Sequence, residues 1–213
     1  MSRERCPHCH RASTTCICAL VQTIPHKAEV LILMHPMEVH EAKGTGHLLH
    51  LCLPRSQLLV GEQWPAETLN AWLDDDWARP GQPCQRHSLL LYPDTDAQDA
   101  SLGLQAAAPL PQPWPLPAGQ LRLVIIDGTW RKSRKMLFLN PALQRLPRLA
   151  LQQVPDSGYV IRKAHQSGQL SSFEATALAL AQLESWHADS PQVQALDQVF
   201  SDFVAVQMQH RQR

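Results

Sequence analysis

Hydrophobic positions along the chain fall in short blocks, some continuous and some spaced at a helical period. Ala28 to Met34 (AEVLILM) is apolar but for Glu29, the pattern of a strand buried on both faces, and it stops at His35-Pro36. Gly46 to Pro54 (GHLLHLCLP) has helical spacing and ends at a proline. Gln57 to Gly61 predicts a second strand, Ala66 to Trp77 a short helix, and His87 to Tyr92 a third strand stopped by Pro93. Leu121 to Ile126 (LRLVII) is the clearest strand and runs into Asp127. Trp130 to Asn140 reads as a helix stopped by Pro141, and Leu149 to Val154 as a fifth strand. Ser172 to Trp186, built largely of Ala, Leu and Glu, is the strongest helix. A last helix runs from Gln192 to about His210, with Pro191 at its start. Strands alternating with helices predict an α/β domain with a largely parallel sheet.

One stretch breaks this rhythm. Ala108 to Ala118 (APLPQPWPLPA) alternates prolines, which fix φ and lack an N–H, so it must be extended. A stiff loop inside the domain accounts for it, with an SH3-type ligand as the alternative. The 213 residues, 44% hydrophobic and 18% charged, make one large domain or a domain with a small appendage. Nineteen basic and nineteen acidic residues cancel, which excludes a histone-like polycation and leaves a local basic patch open. No apolar run approaches the roughly 18 residues needed to cross a bilayer. The opening MSRERCPHCH lacks the apolar core of a secretory signal, so a soluble cytoplasmic protein is expected.

The cysteines change the picture at one end. Cys6, Cys9, Cys16 and Cys18 lie close together, while Cys52 and Cys84 stand apart and read as small buried residues. In a reducing compartment such a cluster points to a metal before a disulfide. C-x2-C turns two thiolates toward one tetrahedral ion, and the C-x-C pair completes the shell, so structural Zn2+ is expected. His8 and His10 are alternative ligands, and reduced surface thiols or a redox pair are the competing readings. Four sulfurs leave no open position for a catalytic water. Composition therefore divides the chain into a cysteine-rich zinc-binding module, residues 1–25, and a main domain, residues 26–213.

Candidate chemistry follows the clearest strand. A carboxylate at the carboxyl end of a parallel strand, here Asp127, faces the crevice where α/β proteins bind ligands. A helix-capping aspartate is the competing reading. Thr129 is placed to cap the next helix. Arg131, Lys132, Arg134 and Lys135 crowd that helix's first turns, against its macrodipole, as for a polyanion site or a solvated face paired to acids elsewhere. Trp130 is either core or a platform for a base. Farther on, Arg162 and Lys163 add positive charge, and Ser171 with Glu174 fits the S-x-x-E capping box.

These residues resemble a family. Asp127-Gly128-Thr129-Trp130 matches the D-x-T-W signature of DTW-domain proteins, and Ser171 to Ala175 resembles their S-x-x-E-A motif. His35-Pro36-Met37-Glu38 with Thr45 to Leu49 looks like their early block, in which a basic residue is usual at the place of His47. The cysteine cluster matches as well, so four blocks occur in order over residues 6 to 180. The resemblance is to the bacterial tRNA-uridine aminocarboxypropyltransferases. It implies a SPOUT-like α/β fold with a C-terminal trefoil knot, and S-adenosylmethionine as co-substrate. The implied reaction moves the 3-amino-3-carboxypropyl group to N3 of a tRNA variable-loop uridine, with Asp127 as candidate base. Thr129, Trp130, Leu170, Ser171, Ser172 and Glu174 would lie at the cofactor. Arg131, Lys132, Arg134, Lys135, Arg162 and Lys163 would hold tRNA phosphates or the cofactor carboxylate. The implied partners are tRNA and S-adenosylmethionine, with no membrane and no DNA, and the protein would act as a monomer. The rivals are an S-adenosylmethionine-dependent RNA methyltransferase and a non-catalytic zinc-bearing RNA-binding protein.

Overall fold

The structure is a computed structural model and describes residues 4–94, 103–151, 157–158 and 170–211. Four parallel strands form the central sheet: β1 (Glu29–Met34), β2 (Ser56–Val60), β5 (His87–Leu90) and β6 (Leu121–Asp127), in the order β2-β1-β6-β5. Every residue of β1 and β6 is buried, as the apolar runs 30–34 and 123–126 within them require of strands covered on both faces. Side chains alternate across the sheet. Val30 and Ile32 with Leu123 and Ile125 join one core cluster, and Leu31 and Leu33 with Val124 and Ile126 join the other.

Helices cover both faces. The first cluster takes in α1 (Gly46–Cys52), α5 (Ser172–Glu184) and α6 (Pro191–Arg211). The second takes in α2 (Ala66–Asp74), α3 (Trp130–Leu139) and the one-turn α4 (Pro141–Gln144). Cys9, Ile17 and Ile24 belong to the first cluster, so the cysteine-rich segment packs on the sheet domain's own core. Arg11 reinforces that docking: its guanidinium lies 5.1 Å from the Phe203 ring centroid on α6. The proline-rich loop also packs inward, with Leu110, Trp114 and Leu116 against the same core.

Two elements differ from expectation. The helix expected over Ala66 to Trp77 stops at Asp74, and a small antiparallel hairpin follows, β3 (Asp75–Asp76) with β4 (Arg79–Pro83). Its β4 strand is fully exposed and carries no apolar alternation to announce it. The fifth strand expected from Leu149 is, within the described residues, a parallel bridge of Arg148 to Leu90, and residues 152–154 lie outside them. The chain between residues 159 and 169, on which a knot would depend, also lies outside them.

Sheet topology locates the site. The chain leaves β1 toward α1 on one face and leaves β6 toward α3 on the other. Adjacent parallel strands whose connections diverge leave a crevice at their carboxyl ends. Here that crevice lies between Met34 and Asp127, which are register partners.

Candidate functional site

Asp127 closes β6 in this crevice and is 5% exposed. Alternation puts it on the face of Leu121, Leu123 and Ile125, toward α1 and α5. One carboxylate oxygen, Oδ1, accepts a hydrogen bond from Ser172 Oγ at 2.6 Å. The other, Oδ2, lies over Gly46 at the start of α1, where a Cβ would collide with it. Glycine is therefore required there by close approach. Asp127 does not cap α3: Thr129 is the N-cap, its Oγ1 accepting from Lys132 N at 3.4 Å. The carboxylate instead meets the starts of two helices, whose partial positive charge favours an anion.

The start of α5 is held by reciprocal bonds. Ser171 Oγ accepts from Glu174 N at 3.2 Å, and Glu174 Oε2 accepts from Ser171 N at 2.7 Å, completing the capping box. Glu174 reaches farther than a cap needs, accepting also from Ser157 Oγ at 2.8 Å and Gly158 N at 2.9 Å. Phe173 N donates to Thr45 Oγ1 at 3.3 Å, which ties α5 to the residue before α1. Beside Leu170 and Glu174 a groove of about 290 Å³ opens between α5 and α6. Its walls are apolar at Phe173, Leu178, Leu196 and Phe200, and Asp197, whose carboxyl is pushed up by burial, sits on its α6 side.

The basic helix α3 begins at the same crevice. No acid lies in its first turn. Glu38, almost buried in the turn after β1, fills that place from a distance and takes Lys132 Nζ at 2.8 Å. Lys135 Nζ donates to Glu62 at 2.9 Å. His35 accepts from Met37 N on Nδ1, so Nε2 carries the proton that it donates to Glu62 at 3.0 Å. These two donors, Lys135 first, lower the Glu62 carboxyl below its ordinary range. Arg131 is exposed and Arg134 half-buried. Trp130 is 48% exposed, so it is a surface ring and not a core one, and Tyr92 braces it edge-on at 5.8 Å. Arg162 and Lys163 lie outside the described residues.

His47 departs from the basic residue usual at its place. It is buried, and Nε2 donates to Val39 O at 3.2 Å. Burial first, with His10 and Arg11 nearby, lowers its pKa to about 4, so it is neutral at pH 7.

The four clustered cysteines converge. The sulfurs of Cys6, Cys9, Cys16 and Cys18 all lie within 4.8 Å of one another. Cys6 to Cys18 is 3.6 Å and Cys9 to Cys16 is 3.7 Å. A tetrahedral Zn2+ with Zn–S bonds of ~2.3 Å separates its sulfurs by ~3.8 Å, so the donor set fits the ion. Backbone N–H groups of Cys9 and His8 lower the Cys6 thiol to about 6, whereas burial and the neighbouring sulfurs push the Cys18 thiol up, so a cation is needed to hold all four as thiolates. Neither His8 nor His10 joins the cluster, and His10 turns its ring to His47, 4.9 Å away.

Sequence reasoning missed Glu62, Thr45's role and Ser157. Each acts through a partner on another element, and no local pattern marks it. Glu38 stood inside the quoted early block, but its link to Lys132 spans 94 residues.

Residues 3–208 match the DTW domain. The chain is 32% identical over 187 residues to a protein of Drosophila melanogaster named tRNA-uridine aminocarboxypropyltransferase 2, covering 86% of this chain and 68% of that protein. It is 26% identical over 186 residues to the protein of the same name from Macaca fascicularis, covering 85% and 57%. It is 26% identical over 207 residues to tRNA-uridine aminocarboxypropyltransferase A of Arabidopsis thaliana, covering 85% and 73%. The chain thus spans little more than half the length of the macaque relative. No solved structure matches. Among the described residues no helix is long and apolar enough to cross a membrane. With almost the whole chain matched to the DTW domain, and the D-x-T-W and S-x-x-E-A motifs joined at the crevice, the chain belongs to the DTW-domain family.

Proposed function

We propose that this protein transfers the 3-amino-3-carboxypropyl group of S-adenosylmethionine to N3 of a tRNA variable-loop uridine; the names of its relatives support aminocarboxypropyl transfer to a tRNA uridine. The observation that carries the reading is the 2.6 Å bond between Asp127 of the first motif and Ser172 of the second. Two motifs 45 residues apart meet on one carboxylate at the topological switch point.

S-adenosylmethionine supplies a carbon bonded to sulfonium, whose electron pair leaves with neutral methylthioadenosine. The chain's own task is the nucleophile, since uridine N3 is protonated at neutral pH. Asp127 accepts that proton as N3 bonds the carbon and the C–S bond breaks. Ser172 orients the carboxylate through Oδ1. Thr129, Trp130, Leu170, Ser171, Ser172 and Glu174 form the cofactor's surroundings, Ser171 and Glu174 by holding the start of α5 in place. The groove offers apolar walls and two carboxylates, Glu174 and Asp197, a set that suits a cationic sulfonium bearing a purine. Arg131, Lys132, Arg134, Lys135, Arg162 and Lys163 hold tRNA phosphates, and a variable-loop base exposes its Watson–Crick edge at low cost. Zn2+ on Cys6, Cys9, Cys16 and Cys18 is structural, in a module of residues 1–25 docked on a SPOUT-like, knotted domain of residues 26–213. The enzyme acts as a cytoplasmic monomer, without DNA or membrane.

The test is incubation with unmodified tRNA and S-adenosylmethionine, followed by mass spectrometry of the digested nucleosides. Aminocarboxypropyl-uridine with stoichiometric methylthioadenosine is the expected result. A methylated nucleoside with S-adenosylhomocysteine would replace the transfer by methylation. Bound tRNA with no product would make the protein a binding module.

A further inference from the structure

Large exposed hydrophobics are not scattered over this molecule. Among the described residues they are Met37, Val60, Trp130, Phe138 and Met208, and the first four follow the carboxyl ends of the strands or lie on α3. On α3 they have an order. Trp130, Arg134 and Phe138 stand at i, i+4 and i+8, one rung every ~6 Å along the helix and within about 80° around it. Arg131 and Lys135 flank this ladder, and the segment from Trp130 to Leu139 carries four cations and no acid.

We infer that the solvent face of α3 is a stacking ladder for unpaired nucleotides of an RNA, with Trp130 and Phe138 as the platforms and Arg131 and Arg134 at the intervening phosphates. The inference rests on the proposed RNA substrate and assigns it a path: Trp130, three residues after Asp127 in the chain, takes a base on the target's side of the helix, and Phe138 takes a base farther along. Aromatic rings interleaved with cations are what a sequence-tolerant single-strand site needs, because every base has a π-face and every nucleotide a charge. Tyr92 holds the Trp130 ring edge-on, so the platform is positioned in advance. Phe138, 53% exposed with its ring edge near Gly103, belongs to neither core cluster of the described residues. A protein groove would want the apolar rings without the arginines interleaved among them.

Fluorescence anisotropy with labelled tRNA, and with single-stranded and duplex RNA of equal length, tests the ladder. Thermal unfolding checks that each variant is folded. The wild type should prefer the single strand. Phe138→Ala should weaken tRNA binding about tenfold, and Phe138→Trp should restore it. If the wild type binds tRNA and Phe138→Ala binds equally well, the ladder falls and the proposed function stands. If the wild type binds no tRNA, both fall. If anionic vesicles are bound and Phe138→Ala abolishes that instead, the face serves a lipid surface and the RNA inference is overturned.

Discussion

The two ends of the β1–β6 pair both bury charge, and they treat it in opposite ways. At the amino end, Glu29 and Arg122 are register partners, and Arg122 is wholly buried. Its guanidinium donates to Glu29 Oε2 at 2.9 and 2.7 Å, to Trp72 O and Asp75 O at 2.8 Å, and stacks 4.3 Å from the Trp77 ring centroid. The protein supplies a counter-charge, carbonyls and a ring, so that end is saturated from within. At the carboxyl end, Asp127 meets a hydroxyl and two helix starts, one of which needs glycine to admit its carboxylate. A buried charge enclosed by its own fold holds the fold, whereas one set among polar groups at a crevice mouth can act on something else.

The sharpest way to break this contrast is at Asp127. Asp127→Asn should keep the Ser172 bond and lower kcat by about 10²–10⁴-fold, with little change in unfolding midpoint. Retained activity in a single-turnover assay would remove the base from the mechanism. Arg122→Met should do the reverse: it leaves Glu29 buried beside two partial partners, Arg86 at 3.2 Å and Arg55 at 3.7 Å. A loss of about 3–5 kcal/mol in urea unfolding is expected, while a loss under about 1 kcal/mol would mean that the pair is replaceable.

Acid should act through His47 at the carboxyl end. Its folded pKa, about 4, lies below the ordinary value of 6.5, so the unfolded state takes the proton first. Stability should therefore fall as pH drops from about 6.5 to about 4, by on the order of 3 kcal/mol in all. His47→Gln should flatten that part of the curve of unfolding free energy against pH; an unchanged slope would place the sensitivity elsewhere. The smallest effect belongs to the cap of α5. Ser171→Ala should cost about 1 kcal/mol in thermal unfolding, and a neutral result would mean that Glu174, with its bonds to Ser157 and Gly158, holds the turn alone.

How much of this was legible depended on range. β1 and β6 were readable because a strand buried on both faces is one long apolar run. The β3–β4 hairpin was not, since Asp75-Asp76 is a half-buried acidic pair, Arg79 to Pro83 is exposed, and neither shows apolar alternation. Asp127 and the S-x-x-E box could be singled out as motifs, and the box formed as written. Their contact could not, because it depends on α1 and α5 packing on the same face as Asp127, a property of the crossovers. The clustered cations of α3 were visible, but the acids that answer Lys132 and Lys135 sit on other elements.

The one-to-one pairing from Glu29–Arg122 to Met34–Asp127 makes the amino-end ion pair a datum for the other end. A slip of β6 by one residue would oppose Arg122 to an apolar neighbour of Glu29 and turn every β6 side chain to the wrong face. Asp127 would then point away from Ser172 and Gly46. Five residues and ~17 Å of strand separate the two, and over that span the salt bridge serves as the index mark against which the reactive carboxylate is set.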